Sequence, residues 1–133
     1  MDGLDGKFHD GFLDGFLIRE AQVFIFIRTD GNEEFALVAD DVTRMRVDSL
    51  LQGNIIFDIV VRRGEELTRS DVDVYGFAAD SDGEKRASDM LERLRTENRV
   101  ALEINPSYGC ECCLIAQSVT LIPRSRLREL NLW

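Results

Sequence analysis

The stretch Ala21–Asp40, "AQVFIFIRTDGNEEFALVAD", constrains the fold of this chain more than any other. Val23 to Ile27 are apolar without interruption and rich in β-branched and aromatic types, so residues 22–28 read as a strand apolar on both faces. Asp30-Gly31, a dipeptide suited to positive φ, turns the chain, and residues 35–39 return antiparallel. A chain that starts with such a hairpin must build a sheet.

Later segments extend it. Over residues 42–48, Thr43, Met45 and Val47 alternate with Arg44, Arg46 and Asp48, the period of a strand with one wet face. Gly53-Asn54 launches a strand at 55–62, with Phe57, Ile59 and Val61 on one face and Ile56, Asp58 and Val60 on the other. "DVDVYGFA" predicts a strand near 72–78. The period then changes: Ala87, Met90, Leu91 and Leu94 recur at helical spacing, after a capping box at Ser81-Asp82-Gly83-Glu84. These signals predict one amphipathic helix at about 83–98, with Asp89 and Arg93 as an i, i+4 pair. A C-terminal hairpin follows: Val100, Leu102 and Ile104, a turn over residues 105–109, and a return strand from Cys112 to Ile122.

With no βαβ alternation, the expected class is mainly β (α+β). The expected architecture is a curled antiparallel sheet or two-layer β-sandwich, with the helix covering an open side or end. At 133 residues the chain reads as a single β-rich domain, 1–133, whose short ends are residues 1–7 and the tail 124–133. No apolar run approaches the ~20 residues that span a bilayer, and the N-terminus is acidic where a secretory leader is basic. The expected location is the cytoplasm.

Charge narrows the partners. With 25 acids against 16 bases, the net charge of −9 disfavours nucleic acid and anionic membranes; it fits a basic protein partner and equally fits simple solubility, which is the leading reading of the charge alone. Three cysteines crowded at Cys110, Cys112 and Cys113 are an odd number, unlike a secreted disulfide framework, and read as reduced thiols.

Five places could carry chemistry. His9, the sole histidine, precedes Asp10 in "KFHDGF", a pairing that could act as base or metal ligand. No nucleophile elbow or second histidine accompanies it, so the structural reading leads: Phe8 packs inward while His9 and Asp10 bond the backbone. The acids Asp2, Asp5, Asp10 and Asp14 lack the spacing of a calcium loop. Cys110 and Cys112 would share one strand face, and with His9 they are the residues a metal site would use. Against that, Cys112 and Cys113 read as small apolar residues of a strand buried on both faces, and no cofactor is implied. Tyr108, at the expected turn, and Glu111 are candidate partner contacts together with His9 and Asp10. Arg44, Arg46, Arg62 and Arg63 could hold an anion, although cross-strand pairing with Asp48 and Asp58 accounts for them.

The order of "FHDGFLDGF", "GNIIFDIVV" and "LEINPSYGCECCLIAQSVTLIP" resembles a group of small β-rich bacterial proteins with a His-Asp start and a late Ser-Tyr-Gly turn. Some of these resemble immunity proteins of polymorphic toxin systems. The resemblance implies a cytoplasmic, non-enzymatic protein that binds a partner. The leading expectation is therefore a protein-binding module for a basic partner. The alternatives are a metal- or thiol-dependent enzyme using His9, Asp10 and the Cys110–Cys113 cluster, and a homo-oligomer subunit docked through Leu130, Leu132 and Trp133.

Overall fold

Local pattern and long-range pairing together build eight strands in the computed structural model, which describes Leu4 and residues 6–129. They are β1 (Phe12–Arg19), β2 (Gln22–Arg28), β3 (Glu34–Asp40), β4 (Arg44–Asp48), β5 (Asn54–Arg63), β6 (Val100–Tyr108), β7 (Glu111–Ala116) and β8 (Ser118–Pro123). Every ladder is antiparallel, in the order β4-β7-β6-β5-β1-β2-β3-β8. Three helices, α1 (Ser70–Asp73), α2 (Ser81–Thr96) and α3 (Arg126–Glu129), make this a mainly β α+β fold. The tail residues Leu130, Leu132 and Trp133 and the acids Asp2 and Asp5 lie outside the described residues.

The sheet curls on itself. β1 and β5 share only two residue pairs, Phe12↔Ile55 and Leu13↔Asn54, which divides the sheet into two four-stranded halves. β7 belongs to one half and β8 to the other, yet only Gln117 separates them. Residues 41–43 likewise join β3 to β4. These two bent strands hold the halves face to face over one core. Leu13, Ile25, Ile27 and Leu37 enter it from one half, and Ile56, Leu102, Ile104 and Leu114 from the other.

Both outer faces are partly covered by helix. Ala87, Met90 and Leu94 of α2 pack on Ala101 and Ile115, the outward residues of β6 and β7, with Leu67 and Val72 completing the cluster. On the other half, Leu127 of α3 packs with Phe24, Ala36, Val38 and Ile122. That cover is why β2 and β3 are apolar on both faces. Removing apolar surface from water on each side stabilises strands that would otherwise expose greasy rows.

Several expectations are corrected. Residues 72–78 are not a strand: Asp71 accepts from the Thr68 N–H at 2.8 Å and the chain turns once as α1. The helix starts at Ser81 rather than 83, and its N-cap is Asp80, whose carboxylate accepts from the Gly83 N–H at 2.7 Å. It ends in a Schellman motif, with Asn98 left-handed (φ 54°) and the Arg99 N–H returning to the Leu94 carbonyl. In the first hairpin the positive φ falls on Asn32. The expected turn at 105–109 is shorter, because β6 runs on to Tyr108. The return strand is split by the bend at Gln117.

Phe57 is the most consequential correction. Ile56 pairs with Pro106 and Asp58 with Asn105, so Phe57 is an extra residue in a β-bulge. The inward face is therefore Ile56, Ile59 and Val61, and Phe57 is expelled to solvent.

Gly83 supplies a sign test of the α2 start. Alanine there gains about 1 kcal/mol of helix propensity, but its Cβ would strike the Ala78 carbonyl. Gly83→Ala should therefore lower stability by roughly 1–3 kcal/mol, as overpacking does. Urea unfolding reads the sign directly.

Candidate functional site

The turn over residues 6–11 places His9 and Asp10 beside β5. The Asp10 N–H donates to the Ile56 carbonyl, and the Ile56 N–H to the Gly11 carbonyl. Phe8 is buried in the core, so its neighbour His9 faces out. A carbonyl only accepts, so the 2.9 Å bond from His9 Nδ1 to the Phe57 oxygen puts a proton on Nδ1. Nε2 lies 3.7 Å from Asp10 Oδ2, both side chains more than half exposed. The ring meets Phe57 edge-on, 5.5 Å between centroids. The pair sits on open surface, and among the described residues neither side chain is hydrogen-bonded to a hydroxyl or thiol that it could activate. Asp14 is bound elsewhere, to Arg28 (2.8 Å) and Arg124 (3.0 Å). Burial works to raise its pKa, but those two hydrogen-bonded guanidiniums outweigh burial and hold the carboxyl below its ordinary value.

Asn54, which the sequence shows only as part of a turn signal, organises this end of the molecule. Its Oδ1 accepts from the N–H groups of Leu51 (2.9 Å) and Cys110 (3.0 Å), and its Nδ2 donates to the Leu51 carbonyl at 2.7 Å. One buried amide thus ties the loop 49–53, the start of β5 and the β6–β7 turn together. Gly109, at φ 86°, lies so close that a Cβ would strike the Asn54 oxygen.

Around that clamp the outer surface is apolar. Phe12, Ile55 and Tyr108 are successive cross-strand partners on β1, β5 and β6. Phe57 stands two residues along β5, and Leu50 and Leu51 occupy the clamped loop. Leu50, Leu51, Phe57 and Tyr108 are each at least half exposed. Just past the turn Glu111 is paired with Asp48, two exposed carboxylates set directly opposite each other. Such like-charge pairs destabilise a sheet. The candidate contacts His9, Asp10, Tyr108 and Glu111 therefore fall around the first residues of β5. Sequence reading missed Phe57, Leu50, Leu51 and Asn54, because the bulge and the amide clamp are tertiary features.

The cysteines lie elsewhere. Cys110 and Cys112 are buried in the core, on the opposite face of the sheet from His9. The trio His9, Cys110 and Cys112 is thus kept apart, and among the described residues no three His, Cys, Asp or Glu side chains converge on a metal position. Burial raises all three thiol pKa values, most strongly at Cys112, which opposes the thiolate needed for ligation or redox attack. Cys113 is half-buried on the outer face, hydrogen-bonded to Tyr75. If Cys112 serves as a small apolar residue, Cys112→Ser should cost about 1–3 kcal/mol by burying a hydroxyl. Cys112→Ala should cost less, despite its greater loss of volume; equal melting of the two variants would refute the apolar role.

The strand arginines also depart from expectation. Arg46 pairs with Asp48 at 2.8 Å, whereas Arg62 binds Asp71 and Glu103 rather than Asp58. Asp58 instead accepts from Asn105 at 2.7 Å. Arg44, Arg63 and Arg93 have no ion-pair partner among the described residues, so Asp89 and Arg93 do not form the i, i+4 pair. A groove of about 600 Å³ lies by Phe26 and Leu127, and its three charged groups besides Arg128 (Asp14, Glu34 and Arg124) pair with one another or with Arg28.

No described helix is long and apolar enough to cross a membrane. Set against known proteins, the chain matches no family model, no curated protein sequence and no solved structure.

Proposed function

We propose that this protein is a non-enzymatic binding module that holds a basic protein partner against the outer face around the start of β5. The observation that carries this reading is the gathering of half-exposed Leu50, Leu51, Phe57 and Tyr108 beside the opposed carboxylates of Asp48 and Glu111. Apolar side chains in the middle of a contact supply affinity by leaving water, and aromatic ones are frequent hot spots. The like-charged pair breaks a rule of sheet stability, and broken local rules collect at functional sites. Arg46 already pairs with Asp48 at 2.8 Å, so a lysine or arginine from the partner would meet Glu111. Asp10, on the far side beside His9, extends the negative rim, and the net charge of −9 steers a cation toward it. The bacterial immunity-type role and cytoplasmic location remain the finer form of this proposal, resting on the sequence resemblance.

The test is affinity capture from the native host at low and moderate salt, using the wild type, Phe57→Ala, Tyr108→Ala and Ile18→Ala. Ile18 is 61% exposed but lies toward the far end of β1, so it serves as the control. A basic protein should be retained about 1:1, be released by salt, and be lost with Phe57→Ala or Tyr108→Ala, at roughly 30-fold per hot spot. Retention that ignores both variants, or stays flat with salt, removes the proposal.

A further inference from the structure

A second surface has the opposite electrostatic character. Between the start of β4 and the C-terminal half of α2 runs a groove of about 360 Å³, walled by Arg44, Arg93, Arg99 and Glu97 over Met90 and Leu94. Three guanidiniums face one carboxylate there, in a chain with nine more acids than bases.

The fold places each cation. Arg44 is paired with Ile115, whose outward side chain lies beneath α2, so Arg44 stands at the flank of that helix. Arg93 projects from the last turns of α2. Arg99 follows the Schellman turn and is anchored by the Asp41 carbonyl (2.9 Å), Asp41 Oδ2 (2.9 Å) and Glu97 Oε2 (3.4 Å). A guanidinium carries five N–H donors, so those three bonds leave Arg99 two. Arg44 and Arg93 are unpaired among the described residues. Uncompensated cations gathered on one groove repel, and an anion between them removes that cost. The carbonyl end of α2 opposes an anion through its partial negative charge. Arg95 in the same turn already donates to the Leu67 carbonyl, so the groove's own arginines must outweigh that field.

We propose that this groove binds the phosphate group of a small phosphate monoester. A carboxylate offers two oxygens, enough for one guanidinium fork. A phosphate monoester offers three terminal oxygens and nearly two charges at pH 7. That matches one fixed and two free guanidiniums better. The site is separate from the acidic patch and stands or falls independently of it.

Inorganic phosphate is the probe, titrated into the whole protein at ionic strength held constant with sodium chloride, with arginine Nε–Hε resonances observed by NMR. Saturable shifts of the Arg44, Arg93 and Arg99 signals are expected. Arg44→Gln and Arg93→Gln should each weaken the fitted affinity roughly tenfold, the worth of one charge-assisted hydrogen bond. Arg128→Gln, in the groove by Phe26, should change nothing. Unsaturable shifts, or shifts that chloride alone reproduces, would mean screening and overturn the site. Acetate saturating the same signals as tightly as phosphate would overturn the ligand class. Both glutamine variants alter exposed side chains, and their circular dichroism confirms the fold before titration.

Discussion

Phe8→Ala should lower the unfolding free energy by about 3–5 kcal/mol, whereas His9→Ala beside it should cost about 1 kcal/mol or less. Phe8 is 1% exposed, inside the core, with its ring edge-on to Phe35 at 5.5 Å between centroids. Lys7 lies over the same Phe35 ring at 4.3 Å. Truncating Phe8 leaves a cavity under the turn that delivers the chain into β1, and the surrounding strands cannot collapse into it without breaking their ladders. His9 by contrast makes one surface hydrogen bond to the Phe57 carbonyl. Urea unfolding of both variants at one pH separates them. Comparable losses would show that His9 holds the turn and would return the His-Asp pair to consideration as more than a surface element.

The second large effect is expected at Asp71→Ala, a loss of about 3 kcal/mol or more. The Asp71 carboxylate is almost fully buried and accepts from Arg62, from the Thr68 N–H at 2.8 Å and from the Thr68 hydroxyl at 3.3 Å. It therefore fastens α1 to β5, and through Arg62 to Glu103 at 2.9 Å on β6. Hydrogen bonding to Asp71, offset in part by burial, raises the already high Arg62 pKa; a guanidinium does not deprotonate in a protein, so the cation stays charged when its partner is removed. Glu103 compensates it only in part, and Thr68 loses its acceptor. Replacing both members, as in Arg62→Met with Asp71→Leu, should cost less than Asp71→Ala alone, because no charge is stranded. A double-mutant cycle by urea unfolding measures that coupling. A double variant worse than the single would disprove the ion pair as the source of the effect.

These two sites mark the boundary of what can be read from one chain. The hairpin of β2 and β3, the launch of β5 at Gly53-Asn54 and the apolar stripe of α2 are visible because their signals are local. Side-chain period and turn chemistry act within a few residues. The segment 72–78 fails for the complementary reason. Val72, Val74 and Tyr75 carry strand propensity, but α1 forms because Asp71 finds Arg62, nine residues away, and Glu103, further still, shares that cation. Propensity is weak beside a buried ion pair. His9, Asp10, Tyr108 and Glu111 were legible as unusual polar or aromatic punctuation. Nothing local reveals that the turn at 6–11 and the turn at Gly109-Cys110 would flank the same strand start.

The chain's own pattern was sufficient for a mainly β, antiparallel, curled fold with an amphipathic helix and a core that takes in Cys112, although Cys113, expected to be buried as well, is only half-buried on the outer face. Burial of alternating apolar faces leaves few other arrangements. Tertiary structure alone chose which residues face outward. A single extra residue in β5 reverses the side on which Phe57 lies, the bend at Gln117 brings the two halves together, and Asn54 gathers distant turns beneath one exposed apolar surface. Each of these depends on a partner tens of residues away, and pairing energy at that separation leaves no periodic trace in the sequence.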